Sequence, residues 1–158
     1  MSQKKIENIK DTIKQKAPFK SVQQETIISL IRTTAQVKTF VESKLDIDDL
    51  SMQQYNVLRI LRGANKAIPI MDISNRLVEP TKGITRLVNK LEQAGYVEKS
   101  QCKKDRRVYF IQVNQNGLEL LKSLDHKITN IEQEIFKGMS EVKLKKLTVL
   151  LDELRFYM

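Results

Sequence analysis

The sequence is poor in the residues that build disulfides, metal sites and membrane spans. Its 158 residues include one cysteine, Cys102, and one histidine, His126. An intramolecular disulfide therefore cannot form, and a soft transition-metal site has too few ligands. No apolar run approaches the roughly 20 residues that a membrane span requires, and no signal-peptide pattern is present. We therefore expect a soluble protein of the reducing cytoplasm, without a metal or another cofactor.

Signatures of catalysis are also missing. The chain contains no P-loop, no G-x-S-x-G or H-E-x-x-H motif, and no Cys/His nucleophile pair. Carboxylates alone are too common to indicate an enzyme. We expect no enzymatic activity.

Acidic residues are scarce relative to basic ones. The chain has 28 Lys and Arg against 19 Asp and Glu, a net charge of +9, which favours a polyanionic partner, either nucleic acid or an acidic membrane surface. The excess is confined to two segments. Residues 81–110 hold eight basic and three acidic residues, and residues 1–20 hold six lysines and two acids. Hydrophobic residues make up 41% of the chain, enough for a core.

Helical periodicity dominates the first half. Residues 1–20 form a Lys-rich extension, and residues 21–45 repeat apolar side chains every three or four positions up to an acidic turn at 46–49. Ser51 and Gln54 have the spacing of a capping box, which predicts a helix that stops near Gly63. Pro69 suits the first turn of a short helix.

A two-faced helix is predicted from Thr81 to Ala94, with Gly95 ending it in a left-handed conformation. Apolar residues fall on one side at i, i+3, i+4 and i+7 spacing. The other side consists of polar and basic residues, namely Lys82, Thr85, Arg86, Asn89 and Lys90.

The period then changes to that of strands. Residues 96–99 and 108–113 predict a hairpin, and the loop between them is basic, with Lys103, Lys104, Arg106 and Arg107. Apolar stripes at 121–135 and 144–154 predict two further helices. The fold class is therefore mainly α with a small two- to three-stranded β wing: a winged helix-turn-helix head, residues 46–113, with helices on both sides.

A helix followed directly by a basic hairpin is suited to duplex DNA. The helix would lie in the major groove, and the hairpin beside it over the minor groove, whose negative potential attracts an inserted arginine. In the loop, the Asp105 carboxylate could accept hydrogen bonds from the Arg107 guanidinium and hold it extended. The alternative is a winged-helix module that docks a protein without specific DNA binding. The basic face argues against that alternative.

The run from Ile84 to Val97, the loop Asp105-Arg106-Arg107 and the segment Val113-Asn114-Gln115-Asn116-Gly117 resemble the MarR family (multiple antibiotic resistance regulators). The family pattern reads VTRLVDxLExxGLVxR, then DxR, then LTxxG, and the match from 84 to 117 has no gap. There are departures from the pattern. Asn114 replaces Thr, but asparagine also caps a helix well. Lys99 replaces Arg, which exchanges a bidentate phosphate contact for a point charge. Before the matched run, Glu79-Pro80 leaves open the exact start of the helix predicted from Thr81, the recognition helix of this family.

The resemblance implies a ligand-responsive repressor that binds a palindromic operator as a homodimer. It places six residues in the major groove: Lys82, Gly83, Thr85, Arg86, Asn89 and Lys90. Arg107 would enter the minor groove, oriented by Asp105. Residues 21–45 and 114–158 would form the dimerisation region, and the stripes at 121–135 and 144–154 support this independently, since a small head offers them too little partner surface.

The resemblance also implies a small aromatic effector bound between the head and the dimerisation helices. Phe40, Tyr55 and Arg59 are the candidate lining residues. Cys102 lies in the wing rather than near the N-terminus, where redox-sensing relatives carry theirs, which favours an ordinary loop cysteine. His126 is expected on the surface of a dimerisation helix.

Overall fold

The computed structural model describes residues 7–45 and 50–158. The chain divides into two compact units, the first ending at Lys44 and the second beginning at Leu45. The predicted acidic turn at 46–49 and the first six residues of the predicted basic extension lie outside the described residues.

The first unit is helical. A single turn, α1 (Ile9–Thr12), begins where the Asn8 side chain accepts a hydrogen bond from the Asp11 amide at 2.9 Å. The long helix α2 (Val22–Lys44) confirms the helix predicted over 21–45. None of its residues is buried, and Val22 and Ile31 are among its most exposed apolar side chains.

The second unit begins with α3 (Met52–Ala64), which starts at the predicted capping box. The Ser51 hydroxyl accepts from the Gln54 amide at 3.3 Å, and the Gln54 side chain accepts from the Ser51 amide at 2.9 Å. The helix runs slightly beyond the predicted end near Gly63. Asn65, in the left-handed conformation with φ 51°, ends it instead, since asparagine tolerates that conformation better than most residues.

Strand β1 (Ile68–Pro69) leads directly into α4 (Ile70–Arg76), and the recognition helix α5 (Ile84–Gln93) follows. The predicted start at Thr81 was wrong by three residues. The Thr81 hydroxyl accepts a hydrogen bond from the Gly83 amide at 3.0 Å, which stabilises a turn before the helix. Gly95, with φ +76°, follows the helix in the predicted left-handed conformation.

Strands β2 (Val97–Gln101) and β3 (Tyr109–Val113) form the predicted hairpin. Val97 pairs with Val113 and Gln101 pairs with Tyr109 in antiparallel register. Strand β1 adds to the other side of β3, so the sheet has three strands in the order β1-β3-β2.

Helix α6 (Gln115–Ile135) is joined tightly to the end of the recognition helix. The Asn114 side chain accepts from the Gly117 amide at 3.0 Å and donates to the Gly95 carbonyl at 2.9 Å. A Cβ atom at Gly117 would lie 2.4 Å from the Tyr96 carbonyl oxygen. Only glycine therefore fits this contact without a shift of the backbone.

The two C-terminal helices differ in burial. The expectation that the 121–135 stripe lacks partner surface within the head was wrong, because Leu121 and Leu124 are buried in the common core and Ile131 is also buried. Helix α7 (Glu141–Phe156), capped by Ser140, agrees with the expectation, since none of its residues is buried.

The core of the second unit lies between α3, α4, α5, the sheet and α6. Its largest fully buried side chains come from all of these elements: Val57, Leu58, Leu61, Ile73, Val88, Leu91, Ile111 and Leu121. This core fixes the recognition helix against the hairpin, because α5 contributes one apolar side to it and the hairpin contributes Ile111.

Candidate nucleic-acid interface

The recognition helix α5 turns its polar side to solvent. Ile84, Val88 and Leu91 are buried in the core, so the opposite side is free. Lys82, Thr85, Arg86 and Lys90 on that side are exposed, and Asn89 is half-buried. Lys82 and Gly83 lie in the turn before α5 rather than within the helix, because the helix starts at Ile84.

This side of the helix forms one shallow concavity. It is lined by all six residues that the family resemblance places in the major groove, together with Gln93: Lys82, Gly83, Thr85, Arg86, Asn89, Lys90 and Gln93. Gln93 was not among the predicted site residues. Its spacing of three and four from Lys90 and Asn89 is the signal that could have found it.

The wing loop carries the remaining predicted site residues, Lys103, Lys104, Asp105, Arg106 and Arg107, and all five are exposed. The Asp105 carboxylate accepts a hydrogen bond from the backbone amide of Arg107 at 2.9 Å. The expected bond to the Arg107 guanidinium is not formed in the part of the chain that the structure describes. The carboxylate therefore orders the turn and leaves the guanidinium free to reach a partner.

Two further hydrogen bonds fix the backbone of the loop at its junction with β2. The Gln101 side chain donates to the Arg106 carbonyl at 2.6 Å, and the Cys102 amide donates to the Val108 carbonyl at 2.9 Å. Both bonds use backbone acceptors within the loop. The cationic side chains are thus held on an ordered backbone, which lowers the entropic cost of binding.

One side chain connects the helix to the wing. The Lys99 ammonium on β2 donates to Asn89 Oδ1 on α5 at 2.9 Å and lies 4.6 Å from the centroid of the Tyr109 ring. The sequence predicts Lys99 only as a point charge for a phosphate, whereas the structure gives it two contacts within the chain. We call the concavity residues and loop residues 103–107 together the basic surface.

The candidate effector residues lie in both units. Phe40 is on α2, where the Lys44 ammonium is 5.5 Å from its ring centroid. Tyr55 and Arg59 are one helical turn apart on α3, with the Arg59 guanidinium carbon 5.8 Å from the Tyr55 centroid. Burial raises the pKa of Tyr55 above its usual value, although Arg59 and Arg62 act in the opposite direction. The effector pocket stays a prediction.

Other site types find little support in residues 7–45 and 50–158. These residues contain no group of three His, Cys, Asp or Glu side chains that could hold a metal ion. They also contain no helix with the length and apolarity for crossing a membrane. Cys102 is half-buried at the base of the wing loop, and His126 is exposed on α6 as predicted.

Comparisons with known proteins agree on one family. The MarR family model matches residues 50–109, from α3 to the start of β3. The transcriptional regulator PecS of Dickeya dadantii is 30% identical over 126 residues, which cover 78% of this chain and 73% of PecS. The chain spans 62% of the length of another relative, the transcriptional repressor IacR of Pseudomonas putida, at 26% identity over 104 residues.

Solved structures share the fold. A MarR transcription factor from Planctomyces limnophilus is 29% identical with a TM-score of 0.67, covering 85% of this chain and 98% of its own. A mutant of the Escherichia coli MarR protein complexed with operator DNA is 19% identical with a TM-score of 0.71, covering 79% and 89%. The winged helix-turn-helix fold, the matched segment and the identity to PecS lead to one conclusion: the chain belongs to the MarR family of transcriptional regulators.

Proposed function

We propose that this protein regulates transcription by binding a specific double-stranded DNA operator through its basic surface. The observation that carries the proposal is the concavity on α5, which is lined by three exposed cations, Lys82, Arg86 and Lys90. Side chains of this type pair with phosphates and with acceptor atoms of base edges in the major groove. The neighbouring wing loop adds four more exposed cations.

The dimensions of the elements suit this role. Helix α5 has ten residues, about 15 Å of helix, which is a usual length for a reading element in the major groove. The wing would place Arg107 over the adjacent minor groove, where a narrow groove concentrates negative potential. The E. coli relative in its operator complex has the same fold, which supports this placement.

We further propose a homodimer that binds a palindromic operator. The support is the apolar surface of α7, where Leu147, Leu150 and Leu154 are exposed, and that of α2, where Ile27 and Ile31 are exposed. Apolar area of this extent normally marks an interface. In this proposal α2, α6 and α7 form the dimerisation region, and two recognition helices lie about 34 Å apart, one turn of duplex.

A small aromatic effector is the remaining part of the proposal, with repression relieved when it binds. Tyr55 and Arg59 would contact it from α3. Support comes from the chemistry of these side chains, because an aromatic ring and a guanidinium suit an aromatic acid. A regulator of this kind would work in the cytoplasm, which fits the single cysteine.

The test is a binding assay on duplex selected from a random pool. Arg107→Ala should weaken binding markedly without changing the oligomeric state. Arg86→Ala should alter base preference where Arg86 reads a base, or weaken all sequences alike where it holds a phosphate. Lys66→Ala, in the exposed segment between α3 and β1, removes the same charge outside the basic surface and outside the proposed dimerisation helices, and is the control. If both arginine variants bound like the control, the assignment of the surface would be wrong, and absence of any binding at ~50 mM salt would favour a protein-docking module.

A further inference from the structure

The contact between Lys99 and Asn89 has consequences for what the recognition helix can read. Asn89 lines the concavity and is half-buried, so its side chain is positioned by its neighbours rather than by solvent. The Lys99 ammonium lies 2.9 Å from Asn89 Oδ1 and is itself supported by the Tyr109 ring at 4.6 Å. The carbonyl oxygen of Asn89 is thereby held by a side chain from strand β2.

The chemistry of the pair fixes the orientation of the amide. An ammonium group has three donors and no acceptor, so the atom of Asn89 that faces it must be the carbonyl oxygen. The amide nitrogen then has to point away from Lys99. Asn89 consequently offers the concavity its N–H donors, while its carbonyl oxygen is turned toward Lys99 and uses one of its two lone pairs on that charged donor.

We infer that Lys99 is a specificity-determining positioning residue that orients Asn89 so that it reads a base through its N–H donors. An asparagine normally reads adenine by accepting from N6 and donating to N7, and this requires a carbonyl oxygen that faces the base. With that oxygen turned toward Lys99 and one lone pair already used, the N6 amino group of adenine would face the amide donors instead. Guanine presents two adjacent acceptors, O6 and N7, at the same edge, so guanine is the base that this arrangement favours.

The three cations that line the concavity reinforce the preference for guanine. Lys82, Arg86 and Lys90 are donors without an acceptor, and all three are exposed in the concavity with Asn89. The half-site bound by α5 should therefore be rich in guanine at the contacted positions. This inference rests on the proposed function, since it concerns the base sequence that the same surface recognises.

The experiment compares base preferences of full-length variants on a randomised operator pool. Lys99→Met keeps the apolar stem on Tyr109 but frees Asn89 Oδ1, and should raise the ratio of adenine to guanine at one position of each half-site by at least about fivefold. Lys99→Arg retains a charged donor for Asn89 and should keep the wild-type preference. Lys103→Met, in the wing loop, removes the same charge without contact to Asn89 and should weaken all sequences alike.

A second variant keeps the test decisive if Lys99→Met folds poorly. Asn89→Ala should flatten the preference at the one position where wild type selects guanine, with the other positions unchanged. The inference is overturned if Lys99→Met behaves like Lys103→Met, or if Asn89→Ala changes no single position. Failure of the wild type to bind any duplex would instead refute the proposed function, so the two failures are distinguishable.

Discussion

Gly117 is the position where the structure predicts the largest effect from one added methyl group. An alanine Cβ there would lie 2.4 Å from the Tyr96 carbonyl oxygen and 2.7 Å from Val113 Cγ2. The carbonyl belongs to backbone that leads into β2, so it cannot rotate away as a side chain would. Helix α6 would have to move off the hairpin, and the core beneath it would be strained.

The size of the effect follows from two opposing contributions. Overpacking of this kind costs about 1–3 kcal/mol, and a backbone neighbour favours the upper end. The higher helix propensity of alanine offsets about 0.5–1 kcal/mol of this. We therefore expect Gly117→Ala to lower the free energy of unfolding by about 2 kcal/mol, which corresponds to a Tm decrease of about 4–8 °C for a chain of this length.

The assay is thermal unfolding followed by circular dichroism at one fixed protein concentration, since association would shift the Tm. Gly63→Ala is the matched control, because Gly63 lies in α3 and no atom lies within 4 Å of the added Cβ. That variant should gain about 0.5–1 kcal/mol. Equal stabilisation by both substitutions would show that α6 does not approach the hairpin as closely as described.

Three further predictions concern the second unit. Asn114→Ala should cost about 1–2 kcal/mol in urea unfolding, because it removes the cap of α6 and the bond to the Gly95 carbonyl, and Asn114→Thr, which keeps only the cap, should cost less. The Arg62–Asp125 ion pair at 3.0 Å has side chains 37% and 49% exposed, so a double-mutant cycle should give a coupling below about 1 kcal/mol; a larger value would mean that solvent screens the pair less than its exposure implies. The raised pKa of Tyr55 means that its contribution to stability is fully present below pH 10.0 and is lost as the pH rises further. Tyr55→Phe should abolish that part of the alkaline destabilisation, and an unchanged pH profile would contradict the assignment.

Local signals in the sequence predicted the caps well. Three of them could be predicted because each depends on residues within one helical turn: the Ser51–Gln54 capping box, the left-handed Gly95 and the Asn114 cap. Helix α3 ends at Ala64, close to the predicted stop near Gly63, although Asn65 rather than Gly63 takes the left-handed conformation. Two residues could adopt that conformation, and the sequence alone does not choose between them.

Contacts between distant elements could not be predicted. The Lys99–Asn89 bond requires β2 to pack on α5 in one register, and neither residue type indicates the other. The burial of Leu121 and Leu124 was missed for the same reason, because an apolar stripe does not reveal whether a helix faces its own core or a partner. The loop carboxylate Asp105 was expected to orient the Arg107 guanidinium, but it orders the backbone of Arg107 instead.

The salt dependence of DNA binding tests most directly whether the basic surface is a duplex-binding surface. Affinity for duplex should be measured across a salt series for wild type, for Lys82→Ala/Lys90→Ala, and for Lys66→Ala/Lys137→Ala, which has the same net charge and changes exposed residues outside the basic surface and outside α2, α6 and α7. The first double variant should have a shallower slope of log affinity against log salt, by about 0.9 for each phosphate that it no longer neutralises, while the second should keep the wild-type slope. Equal slopes for the two double variants would contradict the account.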